Sequence, residues 1–265
     1  MVLSRGILAR IVARTREKVE FKRREVPLER VLSAAPTPGA RRPFVEAISR
    51  PGRINVIAEF KRRSPSMGPV GSEAHPVHVA QAYEVAGAAA LSILTEDEFF
   101  AGSLDDLQQA RAATLLPTLR KDFIVHSYQV YEASMAGADA LLLIVGALSR
   151  GELVELHKTS LETGLEPLVE VHDAEELDRA LEIGARLIGV NNRDLQTLEV
   201  RLETALELGP RIPDDVVAVA ESGIRSGEDL RRLRGAGFDA FLIGEHLLRS
   251  GDPGLALERL LEEGS

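Results

Sequence analysis

Residues 55–61 read Asn-Val-Ile-Ala-Glu-Phe-Lys, an apolar run that ends in a glutamate and a lysine two positions apart. Such a run suits a strand of a buried parallel sheet. Alternate side chains of a strand lie on one face, so Glu59 and Lys61 are predicted to point the same way. Residues 62–68 are polar and turn-prone, which is typical of a loop leaving the strand. Charge at this end of a strand indicates either a functional site or a buried ion pair that fills the sheet.

The same unit recurs to the end of the chain: a short run of Val, Ile and Leu, a polar loop and an amphipathic helix. Further strands are predicted at 90–94, 114–119, 140–145, 167–171, 187–190, 216–220 and 240–243. Helices are predicted at 76–86, 104–113, 127–135, 149–163, 174–183, 202–208, 227–234 and 253–261. This repetition predicts an α/β protein with a (β/α)8 TIM barrel. An open doubly wound sheet is the alternative, disfavoured because no Gly-x-Gly-x-x-Gly follows the first strand.

Residues 1–50 are predicted to form a helical extension packed on the barrel, and residues 51–265 to form the barrel domain. Apolar residues at helical spacing run through 5–32, prolines and a glycine at 36–39 break the pattern, and 44–48 form a short second helix. The arginines at this end imitate an organelle transit peptide. Four glutamates argue against one, at positions 17, 20, 25 and 29.

The composition excludes several classes of function. A chain without cysteine has no disulfide, no thiolate nucleophile and no cysteine metal site. The net charge of −9 argues against general nucleic-acid binding. No apolar run approaches the ~20 residues that cross a bilayer, and no signal-peptide segment is recognisable. We therefore expect a cytoplasmic protein with neither a membrane nor a nucleic-acid partner.

If the barrel is correct, its site lies where the strands end, and polar residues gather there. Only five of the 32 basic residues are lysines, and two of these, Lys61 and Lys121, fall at strand ends. Glu170 interrupts an apolar run, where a lone carboxylate is costly, so it is either a structural ion pair or a catalytic group. Its convergence with two lysines favours catalysis. The other candidates at strand ends are Glu59, Asn191, Arg193, Glu221, Ser222, Gly223, Gly244 and Glu245.

The segments after the seventh and eighth strands, Ala-Glu-Ser-Gly and Ile-Gly-Glu, occupy positions where many barrels bind phosphate. Glycine there lets backbone N–H groups approach an anion closely. Ser222, Gly223 and Gly244 are therefore phosphate-site candidates, and an ordinary loop between strand and helix is the alternative.

The histidines are assigned no role. His75 and His78 have a suggestive spacing but no third ligand nearby, so they are interpreted as surface residues and not as a metal site. The other histidines are scattered along the chain, at positions 126, 157, 172 and 246. Asp122 and Asp194 either cap loops or orient a neighbouring base, and the residues alone leave both open.

Seven segments stand out when the strand ends are read together. They are Arg-Pro-Phe at 42–44, Ile-Ala-Glu-Phe-Lys-Arg-Arg-Ser-Pro-Ser at 57–66, Leu-Arg-Lys-Asp-Phe-Ile-Val at 119–125, Pro-Leu-Val-Glu-Val at 167–171, Gly-Val-Asn-Asn-Arg-Asp-Leu at 189–195, Val-Ala-Glu-Ser-Gly-Ile at 219–224 and Phe-Leu-Ile-Gly-Glu at 241–245. With the amino-terminal helical segment they resemble the indole-3-glycerol-phosphate synthase family over nearly the whole chain. The set is specific, although no single segment is.

The resemblance implies an enzyme without metal or cofactor and a small-molecule phosphosugar–anthranilate substrate. The reaction would convert 1-(2-carboxyphenylamino)-1-deoxyribulose 5-phosphate into indole-3-glycerol phosphate, carbon dioxide and water. The resemblance also implies that Lys121 is the general acid of ring closure and Glu170 the general base. The rest of the implied catalytic set is Glu59, Lys61, Asn191 and Glu221.

The resemblance further implies a phosphate site. Arg193 would lie near the polar part of the substrate. Glu245 stands where the family often has serine, and a carboxylate beside a phosphate is unfavourable, so only its backbone amide is assigned to the site. We expect a monomer or a weak homo-oligomer. The residues expected around the phosphate are Ser64, Ser222, Gly223 and Gly244.

Residue chemistry supports the same reaction independently. Ring closure needs a proton delivered to a ketone oxygen, and an ammonium in a partly dry site is a suitable donor. Lys61 is suited to hold the departing carboxylate while Glu59 orients it, and which lysine acts at each step stays open. The rival interpretations are a phosphoribosyl-anthranilate isomerase-like barrel, which would lack this lysine and glutamate set, and a non-catalytic barrel that binds a phosphometabolite.

Overall fold

The computed structural model of the chain describes residues 6–34, 41–65, 68–70 and 74–265. Within them, eight parallel strands close into a barrel in which each strand pairs with its neighbours in sequence and the last pairs with the first. The predicted (β/α)8 barrel is therefore confirmed. The strands are β1 (Asn55–Phe60), β2 (Ala90–Leu94), β3 (Thr118–Lys121), β4 (Ala140–Ile144), β5 (Glu166–Val171), β6 (Leu187–Asn191), β7 (Val217–Glu221) and β8 (Ala240–Ile243).

In the described residues before the barrel there are three helices. The helical stretch predicted through 5–32 is divided after α1 because Pro27 has no N–H and restricts the residue before it, and Val26 is extended. Ile11 of α1 is buried in the same apolar cluster as the barrel interior. The predicted break at 36–39 lies outside the described residues. These helices are α1 (Ile7–Glu25), α2 (Leu28–Ala34) and α3 (Phe44–Ile48).

The remaining helices surround the barrel, and several begin at a side chain that accepts hydrogen bonds from the first helical turn, as Ser103, Ser149 and Ser226 do. In the described part of the chain, no helix combines the length and the apolar character of a membrane span. The helices are α4 (Pro76–Val85), α5 (Leu104–Ala113), α6 (Ser127–Met135), α7 (Arg150–Glu162), α8 (Ala174–Glu182), α9 (Glu203–Leu208), α10 (Gly227–Gly235), α11 (Glu245–Arg249) and α12 (Pro253–Gly264).

The two faces of each strand bury two separate apolar layers. On β1, Val56, Ala58 and Phe60 pack outward against the helices, whereas Ile57 points into the barrel. The interior is filled in the same way from the other strands, by Leu119, Leu168, Leu187, Val219 and Leu242. Because side chains alternate with a period of two, the inward residue that follows lies two positions closer to the carboxyl end of the strand.

Strand and helix boundaries differ from the prediction mainly before β3. The predicted strand 114–119 begins at Thr118, since Thr114 ends α5, Leu115 is exposed and Pro117 has no N–H for the sheet. The short elements that were not predicted include α11 and an antiparallel hairpin that pairs Arg63–Ser64 with Gly68–Pro69.

Candidate active site

Polar side chains replace apolar ones at the last inward position of five strands. Glu59 follows Ile57 on the inner face of β1, and Lys61 continues that face just beyond the strand. Lys121 follows Leu119 on β3, and Glu170 follows Leu168 on β5. Asn191 on β6 and Glu221 on β7 complete this polar layer.

Lys121 joins two buried carboxylates. Its Nζ lies 2.7 Å from Glu170 Oε2 and 3.0 Å from Glu221 Oε2. Burial by itself would lower the pKa of Lys121, but the carboxylates around it raise that pKa above its ordinary value. This lysine is therefore an ammonium at neutral pH, held between two acids.

The two carboxylates respond differently to their shared lysine. Burial by itself would raise the pKa of Glu170, but Lys121 and the imidazole of His172 hold it below the ordinary value. The pKa of Glu221 is raised, first by burial and then by the charge of Glu170, which together outweigh Lys121. Glu221 Oε1 is also buried and has no hydrogen-bond partner among the residues that the structure describes. Glu170 is thus the ionised acid of the pair, and Glu221 retains its proton to higher pH.

Two glycines leave room for carboxylates in this layer. A Cβ at Gly189 of β6 would overlap Glu221 Oε1. A Cβ at Gly244 would lie 2.5 Å from Glu59 Oε1, the oxygen that accepts a 2.6 Å hydrogen bond from Lys61 Nζ. Gly244 therefore gives space to the Glu59–Lys61 pair, which the sequence did not indicate.

A cavity of about 370 Å³ opens over this polar layer. One wall is apolar and includes Ile7, Leu8 and Ile11 from α1, with Phe100 and Leu195 from loops of the barrel. The predicted site residue Gly244 lies between two lining residues and does not itself line the cavity. The predicted site residues that do line it are Glu59, Lys61, Ser64, Lys121, Glu170, Asn191, Arg193, Glu221, Ser222, Gly223 and Glu245.

A tight turn after β7 forms another part of the cavity wall. Ser222 and Gly223 both have left-handed backbone, with φ of 66° and 81°. Such a conformation is strained for a serine and is held in place here, since the Asn192 side chain donates a 3.0 Å hydrogen bond to the Ser222 carbonyl. A Cβ at Gly223 would lie 2.7 Å from the Val200 side chain. Asn192 is a loop-positioning residue that the sequence did not single out.

Arginines surround the same part of the cavity. Arg193 donates a 3.0 Å hydrogen bond to Glu245 Oε2, and Arg249 lies 3.9 Å from Glu245 Oε1. Arg225 also lines the cavity. The Asn191 side chain accepts a 3.0 Å hydrogen bond from the Arg193 backbone N–H, which fixes the start of this loop. The Glu245 side chain, which was not assigned to the site, thus forms an ion pair within it.

One histidine that was given no role lies directly behind Glu170. His172 Nε2 is 3.4 Å from Glu170 Oε1, and Nδ1 is 3.0 Å from Glu176 Oε2. Burial by itself would lower the pKa of His172, but the two carboxylates raise it to about 10. The available signal was its spacing, because a residue two positions after Glu170 lies on the same side of the chain.

The two aspartates left open mainly hold loops. Asp194 accepts hydrogen bonds from the backbone N–H groups of Gln196 and Thr197, at 2.6 and 2.9 Å. Asp122 borders the cavity but is engaged by Thr95 at 2.6 Å and by Arg120 at 2.9 Å.

The described residues contain no group of three histidine, cysteine, aspartate or glutamate side chains placed to hold a metal ion. His75 instead caps α4 through its Nδ1, which accepts a 3.4 Å hydrogen bond from the Val77 backbone. Its ring lies 5.4 Å from that of His78.

Solved structures with similar folds include thiamine phosphate pyrophosphorylase from Pyrococcus furiosus, at 16% identity and a TM-score of 0.59 over 80% of this chain and 95% of that one. The flavin-binding domain of baker's yeast flavocytochrome b2 is 18% identical with a TM-score of 0.62, over 80% of this chain and 63% of that one. At these identities the likeness concerns the fold alone.

Sequence comparisons are more specific. The family model for indole-3-glycerol phosphate synthase matches residues 8–260. Proteins of that name from Carboxydothermus hydrogenoformans and Mycobacterium avium are 46% and 45% identical. The first alignment covers 96% of this chain and 99% of the relative, and the second covers 98% and 95%. The chain therefore belongs to the indole-3-glycerol phosphate synthase family.

Proposed function

We propose that the cavity over the polar layer carries out the family's reaction on 1-(2-carboxyphenylamino)-1-deoxyribulose 5-phosphate, with Lys121 and Glu170 as acid and base. Family membership makes the chain a carboxy-lyase of tryptophan biosynthesis. The observation that carries the proposed roles is the meeting of Lys61, Lys121 and Glu170 in one cavity whose lining also includes apolar residues of α1 and several arginines.

The charges and the apolar wall favour one orientation of the substrate. Its phosphate lies at the wall formed by the turn at Ser222 and Gly223, where backbone N–H groups and arginines are available. Its aromatic ring lies toward Leu8 and the other apolar residues of α1. Its ring carboxylate then comes within reach of Lys61, which Glu59 holds by a 2.6 Å hydrogen bond.

Ring closure and decarboxylation form the first part of the reaction. The aromatic carbon that bears the carboxylate attacks the ketone carbon, and the ketone oxygen takes a proton from the Lys121 ammonium and becomes a hydroxyl. The bond from the ring to the carboxylate then breaks, carbon dioxide leaves, and the electron pair of that bond restores the aromatic ring.

Dehydration completes the indole. Glu170 removes a proton from the carbon beside the ring nitrogen, and the hydroxyl formed during ring closure leaves as water after an acid protonates it. Lys121, once recharged, or Lys61 supplies this second proton. Accumulation of the hydroxylated intermediate in a Lys61→Met variant assigns the second step to Lys61, whereas accumulation of intact substrate assigns Lys61 to ring closure or decarboxylation.

Incubation of the purified chain with the carboxyphenylamino-deoxyribulose phosphate tests the proposal. Formation of indole absorbance and fluorescence, with one carbon dioxide released per product, is the expected result. Isomerisation without carbon dioxide release would favour the isomerase-like alternative. Binding without any product would favour the non-catalytic barrel.

Two further expectations belong to the proposal: the chain acts in the cytoplasm, and it is a monomer or a weak homo-oligomer. A synthase for a small soluble substrate needs no second subunit when one barrel supplies every proposed catalytic group. Sedimentation velocity over a hundredfold concentration range measures the second expectation directly.

A further inference from the structure

A series of titratable groups leads to Glu170 from the side away from Lys121, and the proposed reaction steps do not use its two outer members. It runs from Glu176 on α8 to His172 in the loop after β5, and from there to Glu170 on β5. One oxygen of Glu176 accepts hydrogen bonds from both the backbone N–H of His172, at 2.9 Å, and its ring Nδ1, at 3.0 Å. One contact orients the imidazole ring, and the other holds the backbone that carries it against the same carboxylate.

The fixed ring presents Nε2 to the free oxygen of Glu170. Lys121 takes Glu170 Oε2, whereas His172 Nε2 lies 3.4 Å from Oε1. Nε2 is buried and has no well-directed hydrogen bond among the described residues. A buried donor that stops just short of a carboxylate can tighten onto it when the negative charge on that carboxylate is less well balanced.

The order of the proposed steps produces such an imbalance. Lys121 gives its proton to the ketone oxygen during ring closure, and Glu170 acts as a base only afterwards. Until Lys121 regains a proton, Glu170 lacks the ammonium that balanced it, and a buried carboxylate with no counter-charge loses its ionised form. A second donor on the other oxygen prevents this loss.

We infer that His172, held by Glu176, is a positioning residue that keeps Glu170 ionised and oriented for the dehydration step. The inference rests on the proposed role of Glu170 as base. The charged groups that face His172 are Glu170 from the barrel, Glu176 from α8 and Asp194 from the loop after β6. All three carry negative charge, so the protonated ring is stabilised from each side.

Close packing around Glu176 shows that the fold reserves space for its carboxylate. A Cβ at Gly146, in the turn after β4, would lie 2.5 Å from Glu176 Oε1. Gly146 does not line the cavity, so a Gly146→Ala substitution displaces Glu176 without touching the proposed substrate site. The substitution therefore disturbs the series Glu176–His172–Glu170 independently, from the Glu176 end.

Steady-state kinetics of His172→Ala in the full-length chain test the inference. We expect kcat to fall by about tenfold to a hundredfold with KM nearly unchanged, because a displaced base affects the chemical step and not substrate binding. The acidic limb of the kcat profile should move to higher pH, since Glu170 loses a stabilising cation. His172→Gln should recover part of kcat, because its amide N–H reaches toward Glu170.

Further variants distinguish a wrong inference from a variant that does not fold and from a wrong assignment of the base. His157→Gln removes another buried histidine that does not line the cavity, and it should keep the wild-type kcat and pH profile. A folded His172→Ala with wild-type kcat and an unshifted acidic limb overturns the inference. If that variant does not fold, Glu176→Gln and Gly146→Ala must shift the limb in the same direction, and unchanged profiles overturn the inference equally. Wild-type turnover by Glu170→Gln would instead refute the proposed base.

Discussion

Lys121 forms ion pairs with two acids whose surroundings give them different pKa values. Glu170 has cationic groups on both of its oxygens, so its pKa lies below the ordinary value despite complete burial. Burial raises the pKa of Glu221, and the negative charge of Glu170 beside it raises that pKa further. Acids that titrate apart suit a site that needs both a base and a proton reservoir.

The proposed base is tested by Glu170→Gln, which keeps the size of the side chain and removes its charge. We expect kcat to fall by ~10²-fold or more, because the amide cannot accept the proton that leaves during dehydration. Stopped-flow and steady-state indole fluorescence measure the loss, and circular dichroism melting checks the fold. Turnover near that of the wild type would remove Glu170 from the mechanism.

Glu245 is expected to weaken substrate binding. Its carboxylate holds Arg193 and stands beside Arg249 at the end of the cavity where the phosphate is proposed to bind. Glu245→Gln removes the negative charge and releases Arg193, so KM should fall by roughly threefold to tenfold, an effect that added salt reduces. Inorganic phosphate should inhibit this variant more strongly than the wild type. An unchanged or raised KM would show that the ion pair positions Arg193 and does not compete with the substrate.

At the scale of single elements, most of the prediction came from the alternation of side chains along each strand, with its period of two. Alternation on β1 placed Glu59 and Lys61 on one face, and the same alternation places Lys121, Glu170 and Glu221 inside the barrel. Boundaries were less predictable where prolines and loops compete, as at the start of β3. The space requirements of carboxylates were not predictable, because a glycine in a strand does not reveal which side chain from a neighbouring strand needs its space.

Gly189 provides a test of that space requirement on β6. A Cβ there overlaps Glu221 Oε1, so Gly189→Ala should destabilise the fold by about 1–3 kcal/mol and lower kcat. The matched control is Gly151→Ala in α7, where nothing lies within 4 Å of the added atom. The control should be stabilised by ~0.5–1 kcal/mol, because alanine favours helix over glycine. Urea unfolding and kcat of the two variants measure the difference, and equal stability would contradict the overlap.

Helix α1 is expected to contribute to substrate binding through its apolar face. Leu8 lines the cavity, and Leu8→Ala removes part of the wall proposed to contact the aromatic ring. We expect KM to rise by roughly threefold to tenfold with kcat nearly unchanged. Phe21→Ala on the same helix is the control, since Phe21 is 66% exposed and does not line the cavity. Equal KM values for the two variants would exclude α1 from the binding site.

At the scale of the whole molecule, closure of the barrel brings distant charges together. Arg193 and Glu245 are 52 positions apart, and Lys121 and Glu221 are 100 apart. The sequence predicted that these residues lie at one end of the barrel, because parallel strands align their carboxyl ends. It could not predict which side chains pair, nor that His172 faces Glu170, since those contacts depend on rotamers and on the tilt of the closed sheet.

The buried charges also predict how stability depends on pH. Glu170 and Glu176 raise the pKa of His172 from an ordinary value near 6.5 to about 10. A group whose pKa is higher in the folded state binds its proton more tightly there, so its stabilisation is complete below about pH 6.5 and is lost as pH rises through about 10. The unfolding free energy of the wild type should exceed that of His172→Gln by at least ~2 kcal/mol at pH 6. The difference should shrink steadily toward pH 10, as measured by urea unfolding at a series of pH values. Because groups common to both proteins largely cancel in this difference, a constant gap across the range would mean that His172 is neutral in the folded chain and contributes only by packing.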